Sequence, residues 1–307
     1  MMQARSATDE IFQTIEWQRT WWETFGRGQL MLIVGERYGE PVALAPLFAD
    51  CGMVFFVGSG GSDYLDFIGD VSDPDVLDAI LTCARECVPD FVGFRFYHVP
   101  DQSMTGALLM QAAGRLGMEI FDEGELAAPL LDLQASGTAA VEKTSLMRHE
   151  RSLRRDGELI IEHTSTADMV GPDLDRFFQQ HIERWQDTPF PSLFIDEKQK
   201  EFYRRLATAL DESGWLRFTR VVWNGRTVAY HFGFNYGGKF LWYKPTFAIE
   251  LRKRSPGEVL LRSLLVQAMA EDCDVFDFGL GDEAFKRRFT SRVHYVRTWG
   301  LYPAPTD

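Results

Sequence analysis

The chain has 307 residues, with 32 Lys+Arg against 45 Asp+Glu, a formal net charge of −13, and a composition 45% hydrophobic and 13% aromatic. That is enough apolar material for one large domain or two ordinary ones, and the negative charge disfavours nonspecific binding to nucleic acid or anionic membranes. No apolar run approaches the roughly 20 residues needed to span a bilayer. The start, Met1-Met2-Gln3-Ala4-Arg5, carries no apolar signal segment, and only the first residues and Pro303 to Asp307 read as disordered. Cys51, Cys83, Cys87 and Cys273 form no CxxC pair. Cys83 and Cys87 stand four apart on a predicted helix and read as buried thiols. A reduced, cytoplasmic, metal-free protein is expected.

In chain order, a helix is predicted from Trp17 to Phe25, then a hairpin of residues 30–37 and 41–48 turning at Tyr38-Gly39-Glu40. A strand (53–57), a helix (75–87) and another strand (91–97) follow. The same series recurs later. A helix over 198–210 precedes a hairpin of residues 216–223 and 227–234, whose turn, Asn224-Gly225, tolerates positive φ at both positions. A strand (239–247), a helix (257–271) and a strand (275–278) complete it. Helix, hairpin, strand, helix, strand, twice over, reads as two copies of one α/β unit. Between them lies Ala135 to Gly157, with Lys143, Arg148, Arg151, Arg154 and Arg155. It reads as a basic helix joining the halves, its charges solvated or, alternatively, touching phosphate. The expected division is 1–134, 135–157 and 158–307.

The second half holds a concentrated signal. Arg252-Lys253-Arg254-Ser255-Pro256-Gly257-Glu258 opens an apolar helix with Ser255 as N-cap, Pro256 at the first position and Glu258 completing a capping box. A cationic, glycine-containing turn entering a helix presents backbone N–H groups to an anion such as phosphate. An ordinary capped helix is the alternative. Further on stand Asp277-Phe278-Gly279 and Phe285-Lys286-Arg287-Arg288-Phe289.

These motifs, in order with Arg184-Trp185 at a helix end, the Val228–Phe234 strand and the first-half segment Asp63-Tyr64-Leu65-Asp66, resemble the CelD-like branch of GNAT acyltransferases. That branch is related to the FemAB peptidyl-bridge enzymes. The resemblance runs from about Trp17 to Trp299 and implies two fused GNAT-like lobes, each a mixed, mostly antiparallel sheet flanked by helices. It also implies acyl transfer. Arg254-x-x-Gly257-x-Val259 approximates the GNAT signature for the coenzyme A diphosphate, with Val259 in place of a small residue. Phe285 stands where the family usually has tyrosine. The donor implied is acetyl-CoA or another pantetheine thioester, held by Arg252, Arg254, Ser255, Gly257, Glu258, Val259 and Lys286. An acyl carrier protein or an aminoacyl-tRNA is the alternative donor, and a non-catalytic binding protein the alternative function.

No nucleophile motif is present, which fits direct attack of a small-molecule amine on a thioester. A Gly237-Gly238 turn would pair Tyr236 with Lys239 and, counting back evenly, His231 with Lys244. Two bases facing each other would depress one another, leaving either His231 or Lys244 able to take the ammonium proton. A core histidine bonded to a carbonyl is the other reading of His231. Asp63, Tyr64, Asp66, Arg184, Trp185, Tyr243 and Asp277 are the expected acceptor contacts. For Asp63, Tyr64 and Asp66 the alternative is a solvated loop, and for Lys286 an exposed lysine.

Overall fold

A computed structural model describes residues 8–305. Residues 1–5, read as free of an apolar leader, and residues 306–307 lie outside them. The chain forms two compact units: one takes residues up to Ala128 with 280–282 and 293 onward, the other Pro129–Gly279 with Glu283–Arg292. This differs from the predicted three-part division, because the basic segment belongs to the second unit rather than to a linker, and residues 293 onward belong to the first unit rather than to the C-terminal lobe.

In the first unit, α1 (Ile15–Phe25) starts at Thr14, whose hydroxyl accepts the Trp17 N–H at 3.3 Å. It buries Trp17 and Trp21. β1 (Gln29–Arg37) and β2 (Glu40–Asp50) make the predicted hairpin, turning at Tyr38 and Gly39 with φ of 53° and 81°. β3 (Met53–Phe56) and the short β4 (Ile68–Gly69) both pair with β2. α2 (Pro74–Glu86) begins on Asp73, whose carboxylate accepts the Asp75 N–H at 3.0 Å, with Pro74 at the first helical position. The helix turns Val76, Leu77, Ile80, Leu81 and Ala84 inward, so Cys83 and Cys87 are exposed rather than buried. It returns the chain to β5 (Gly93–Pro100), parallel to β3. α3 (Thr105–Arg115) and the long β6 (Met118–Asp132), neither predicted, follow.

The second unit contains α4 (Leu133–Ser136), α5 (Thr144–Asp156), β7 (Leu159–Thr164), α6 (Ala167–Trp185) and α7 (Glu197–Ala209). β8 (Leu216–Trp223) and β9 (Arg226–Tyr236) join at Asn224-Gly225, with φ of 51° and 76°. Gly237-Gly238 then leads into β10 (Lys239–Phe247). α8 (Pro256–Ala270) crosses over so that β11 (Val275–Asp277) lies parallel to β10. β12 (Val293–Pro303) rejoins the first unit antiparallel to β5, and so takes in Pro303, which was read as part of a disordered tail.

Strand order in the first unit is β1-β2-β3-β5-β12 and then the beginning of β6; in the second it is the end of β6, then β11-β10-β9-β8-β7. Each unit thus has three antiparallel strands and a helical crossover to a parallel fourth, the repeat predicted from sequence. Leu260, Leu264 and Leu265 of α8 pack with Phe240, Trp242 and Phe276. Aromatic rings of α6 and α7, among them Phe177 and Tyr203, meet Phe232 of β9. Among the described residues no helix is long and apolar enough to cross a membrane.

The basic helix α5 is a packed element of the second unit. Leu146 and Leu153 sit in the same core cluster as the α8 leucines. Arg262 of α8 donates to Glu150 at 2.6 Å. Replacing Leu153, which is 1% exposed, with Ala should cost about 2–5 kcal/mol in urea denaturation. A loss under about 0.5 kcal/mol, as expected of a surface position, would contradict this packing.

Candidate active site

The site is built where β10 and β11 part. They pair only from Lys239 to Leu241 against Val275 to Asp277. At that point β10 bulges. Leu241 faces Phe234, but Lys244 faces Phe232, so three steps along β10 match two along β9. The predicted even ladder held at Tyr236–Lys239, Asn235–Phe240 and Phe234–Leu241 and failed beyond. His231 pairs with Pro245, not with Lys244.

His231 is fully buried, its ring stacked at 5.5 Å on Trp242 and 6.1 Å on Phe240. Its Nε2 lies 3.2 Å from the Leu241 carbonyl and 3.3 Å from the Tyr243 N–H, the two ends of the bulge. A Cβ on Gly233 would fall 2.2 Å from His231 Cε1 and 2.3 Å from the Leu241 oxygen, so only glycine fits there. Burial, rather than a facing lysine, depresses the imidazole to about 3. His231 therefore holds the bulge and does not reach a substrate proton, which corrects its expected use as a base. Lys244 has been carried to other neighbours. Its ammonium lies 3.9 Å over the Tyr243 ring, and its charge helps depress His181.

His181, Arg184 and Trp185 share one face of α6 at positions i, i+3 and i+4. Sequence reasoning singled out the last two and missed His181, although that spacing was there to be read. His181 Nδ1 lies 2.8 Å from Ser192 Oγ. Burial first, then the charges of Lys244 and Arg184, push it down to about 3. Arg184 is half-buried, stacks 4.3 Å over Phe247 and 5.1 Å over Trp185, and donates to the Pro245 carbonyl at 2.9 Å. Burial lowers its guanidinium to about 10.

The start of α8 adjoins Phe247. A Cβ on Gly257 would sit 3.0 Å from that ring, so glycine lets the helix begin close against it. Ser255 occupies the left-handed region, φ 54°, and makes no side-chain cap. The predicted capping box does not form, because Glu258 turns away to accept from Arg288 at 2.7 Å, with His149 at 3.4 Å. Its charge is thereby offset beside the helix end. Arg252 and Lys253 are exposed; Arg254 pairs with Asp156 and covers Trp223. Val259 is fully buried in the core and offers nothing to a ligand. Asp277 accepts the Gly279 N–H at 2.8 Å, while Lys286 is buried, donates to the Gly279 carbonyl at 3.3 Å and pairs with Glu283 at 2.8 Å. Lys286 is thus neither exposed nor extended toward a phosphate.

The first-half candidates fall in the core of their own unit. Asp66 is 3% exposed and accepts from Thr105 Oγ1 at 2.6 Å, the Phe67 N–H at 2.8 Å and Thr8 Oγ1 at 3.2 Å; burial raises its pKa. Tyr64 is buried against Phe12, and Asp63 is half-buried. Neither the carboxylate of Asp66 nor the Tyr64 ring lies open to an amine, and the solvated-loop alternative fails with them. No cluster of metal-ligating side chains occurs among the described residues.

Residues 142–287 match the family model described as an acetyltransferase (GNAT) domain. Residues 142–287 therefore carry a GNAT domain. The chain is an acyltransferase with two fused GNAT-like lobes. The fold of FemX is similar over 96% of this chain and 92% of that one, with a TM-score of 0.67 and 13% identity. L-PGS from Bacillus licheniformis is similar over 95% and 92%, TM-score 0.58 and 13% identity. A tandem GNAT protein from the clavulanic acid biosynthesis pathway, solved without acetyl-CoA, is similar over 95% of both chains, TM-score 0.56 and 13% identity. No curated protein matches this GNAT sequence.

His181 and His231 make stability depend on pH with a defined sign. Both sit near 3 in the folded chain against an ordinary 6.5. Below pH 6.5 the unfolded chain binds protons that the folded chain refuses. The stabilising difference is complete above that pH and is lost as pH falls. Each histidine should contribute about 1.4 kcal/mol per pH unit between roughly pH 6 and 4. Urea denaturation of His181→Gln and His231→Gln across that range should each show a slope shallower than wild type by that amount. An unchanged slope would refute the buried, neutral state of the histidine replaced.

Proposed function

We propose that this acyltransferase moves an acyl group from a coenzyme A thioester to the amine of a small molecule by direct attack, in the cytoplasm. The observation that carries the reading is the parting of β10 from β11 at the bulge, beside a helix with glycine in its first turn. Past Leu241 the side of β10 that faced β11 no longer has that strand as its partner. A pantetheine arm can lie along it as a further strand would, with its amides bonded to the backbone. Its diphosphate then meets the N-terminal turn of α8 and the cations Arg252, Lys253 and Arg254.

The amine nitrogen attacks the thioester carbon, the carbon–sulfur bond breaks, and the ammonium proton must leave. Backbone N–H groups at the bulge are the donors available to the developing oxyanion. His181 and Lys244 are the basic groups on the α6 side of this opening. His231 serves as a positioning residue, since it sets the bulge and hence those donors. Asp277 and Lys286 shape the turn that follows β11.

A macromolecular donor, an acyl carrier protein or an aminoacyl-tRNA, is the second reading. What favours it is that Arg148, Arg151 and Arg155 of α5 add exposed cations in the same unit as the α8 start, more than one diphosphate needs. The fold likeness to FemX and L-PGS is compatible with it.

Thermal unfolding with coenzyme A, acetyl-CoA and phosphopantetheine tests the reading directly. At a hundred times its dissociation constant, a ligand of the folded state should stabilise by about 2.7 kcal/mol. Arg252→Glu combined with Arg254→Glu should raise the KM for acetyl-CoA about tenfold or more with kcat little changed, as loss of uniform binding requires. No response to any of the three ligands would remove the small-thioester reading and leave the macromolecular donor or a non-catalytic role.

A further inference from the structure

Arg184 is an undercompensated charge at the mouth of the site. Its guanidinium is held between the Phe247 and Trp185 rings, and one of its five N–H groups is spent on the Pro245 carbonyl. Among the described residues no carboxylate lies within ion-pair distance of it. The carboxylate whose field reaches it, Glu283, is already tied to Lys286 at 2.8 Å. Its surroundings are also rich in donors. The indole N–H of Trp185 is buried without an acceptor, and the hydroxyl of Thr246, between Pro245 and Phe247, is likewise unpartnered. Lys244 and His181 complete the group.

A half-buried cation with neither a counter-ion nor full hydration is costly unless an anion arrives with the ligand. The planar fork held flat on Phe247 suits the two oxygens of a carboxylate. The cations at the α8 start are already in place for the donor's phosphates, so Arg184 is left for a different anion. We propose that the substrate carries a carboxylate, on the acceptor amine or on the acyl chain, and that Arg184 receives it; this rests on the acyl-transfer reading of the same site. An acceptor of that kind is an amino acid or a peptide end. A donor of that kind is a dicarboxylic acyl thioester.

Two binding arms separate the sources, read by intrinsic tryptophan fluorescence. The first titrates N-acetyl amino acids against their N-methylamides. The second titrates malonyl-CoA and succinyl-CoA against acetyl-CoA. In one arm the carboxylate form should bind at least about tenfold more tightly than its uncharged counterpart. Arg184→Gln should abolish that preference, and Arg184→Lys should keep part of it by retaining the charge without the fork. No preference for the charged form in either arm overturns the proposal, as does a preference that survives Arg184→Gln. A weakening of acetyl-CoA itself in Arg184→Gln overturns it too, by assigning the residue to the donor's phosphates. Should Arg184→Gln fail to fold, Arg184→Lys decides, with an undiminished preference counting against the fork. If no thioester binds wild type, the coenzyme A reading falls, while the N-acetyl arm still reports on the carboxylate.

Discussion

One extra residue in β10 governs the second unit. Three residues of that strand occupy the length of two on β9, and His231 spans the irregularity, its Nε2 lying against both ends of the bulge. Gly233 makes this close approach feasible, because any side chain there would collide with the imidazole. The bulge ends the pairing with β11 and re-aims Lys244 toward Tyr243 and His181. The end of the pairing with β11 and the placement of a cation thus follow from one register shift.

Around that opening, charges are arranged with unequal compensation. Glu258, which would repel an anion at the start of α8, is drawn off by Arg288, and Lys286 is neutralised by Glu283. Arg184 has no such partner among the described residues and rests on two aromatic faces. Salt bridges in the turn after β11 hold structure, whereas the uncompensated guanidinium is poised for recognition. The same residue type or motif therefore has different work to do depending on what packs against it. Arg254 and Arg184 are both arginines beside the α8 start, and only one has a carboxylate to hold.

The repeated helix–hairpin–strand–helix–strand unit was legible because its signals are short-range. Asn224-Gly225 accepts positive φ at both turn positions, Pro256 sets the first turn of α8, and β10 has the bounds predicted for it, 239–247. Of the candidate site, Arg184, Trp185 and Gly257 were singled out by motifs and Tyr243 by its place on a strand, and the four lie in one neighbourhood. The predicted pairing of His231 with Lys244 fails, because counting along a ladder assumes that no residue is inserted. Asp66 and Tyr64 matched a family segment, yet hydroxyl donors from Thr8 and Thr105 draw the carboxylate into the core. Nothing in their local spacing announces those distant partners.

Sequence alone determined most elements of the repeat, their duplicated order and the resemblance to GNAT acyltransferases, since each depends on neighbours within a few residues or on motif order along the chain. Tertiary structure decided which side chains are buried, where the ladder slips and which charges go unpaired. Those outcomes are sums over residues far apart in sequence: Gly233 against Leu241, Arg288 against Glu258, Arg184 against Phe247. Burial and electrostatic compensation are properties of an environment, and the environment exists only once the chain has folded.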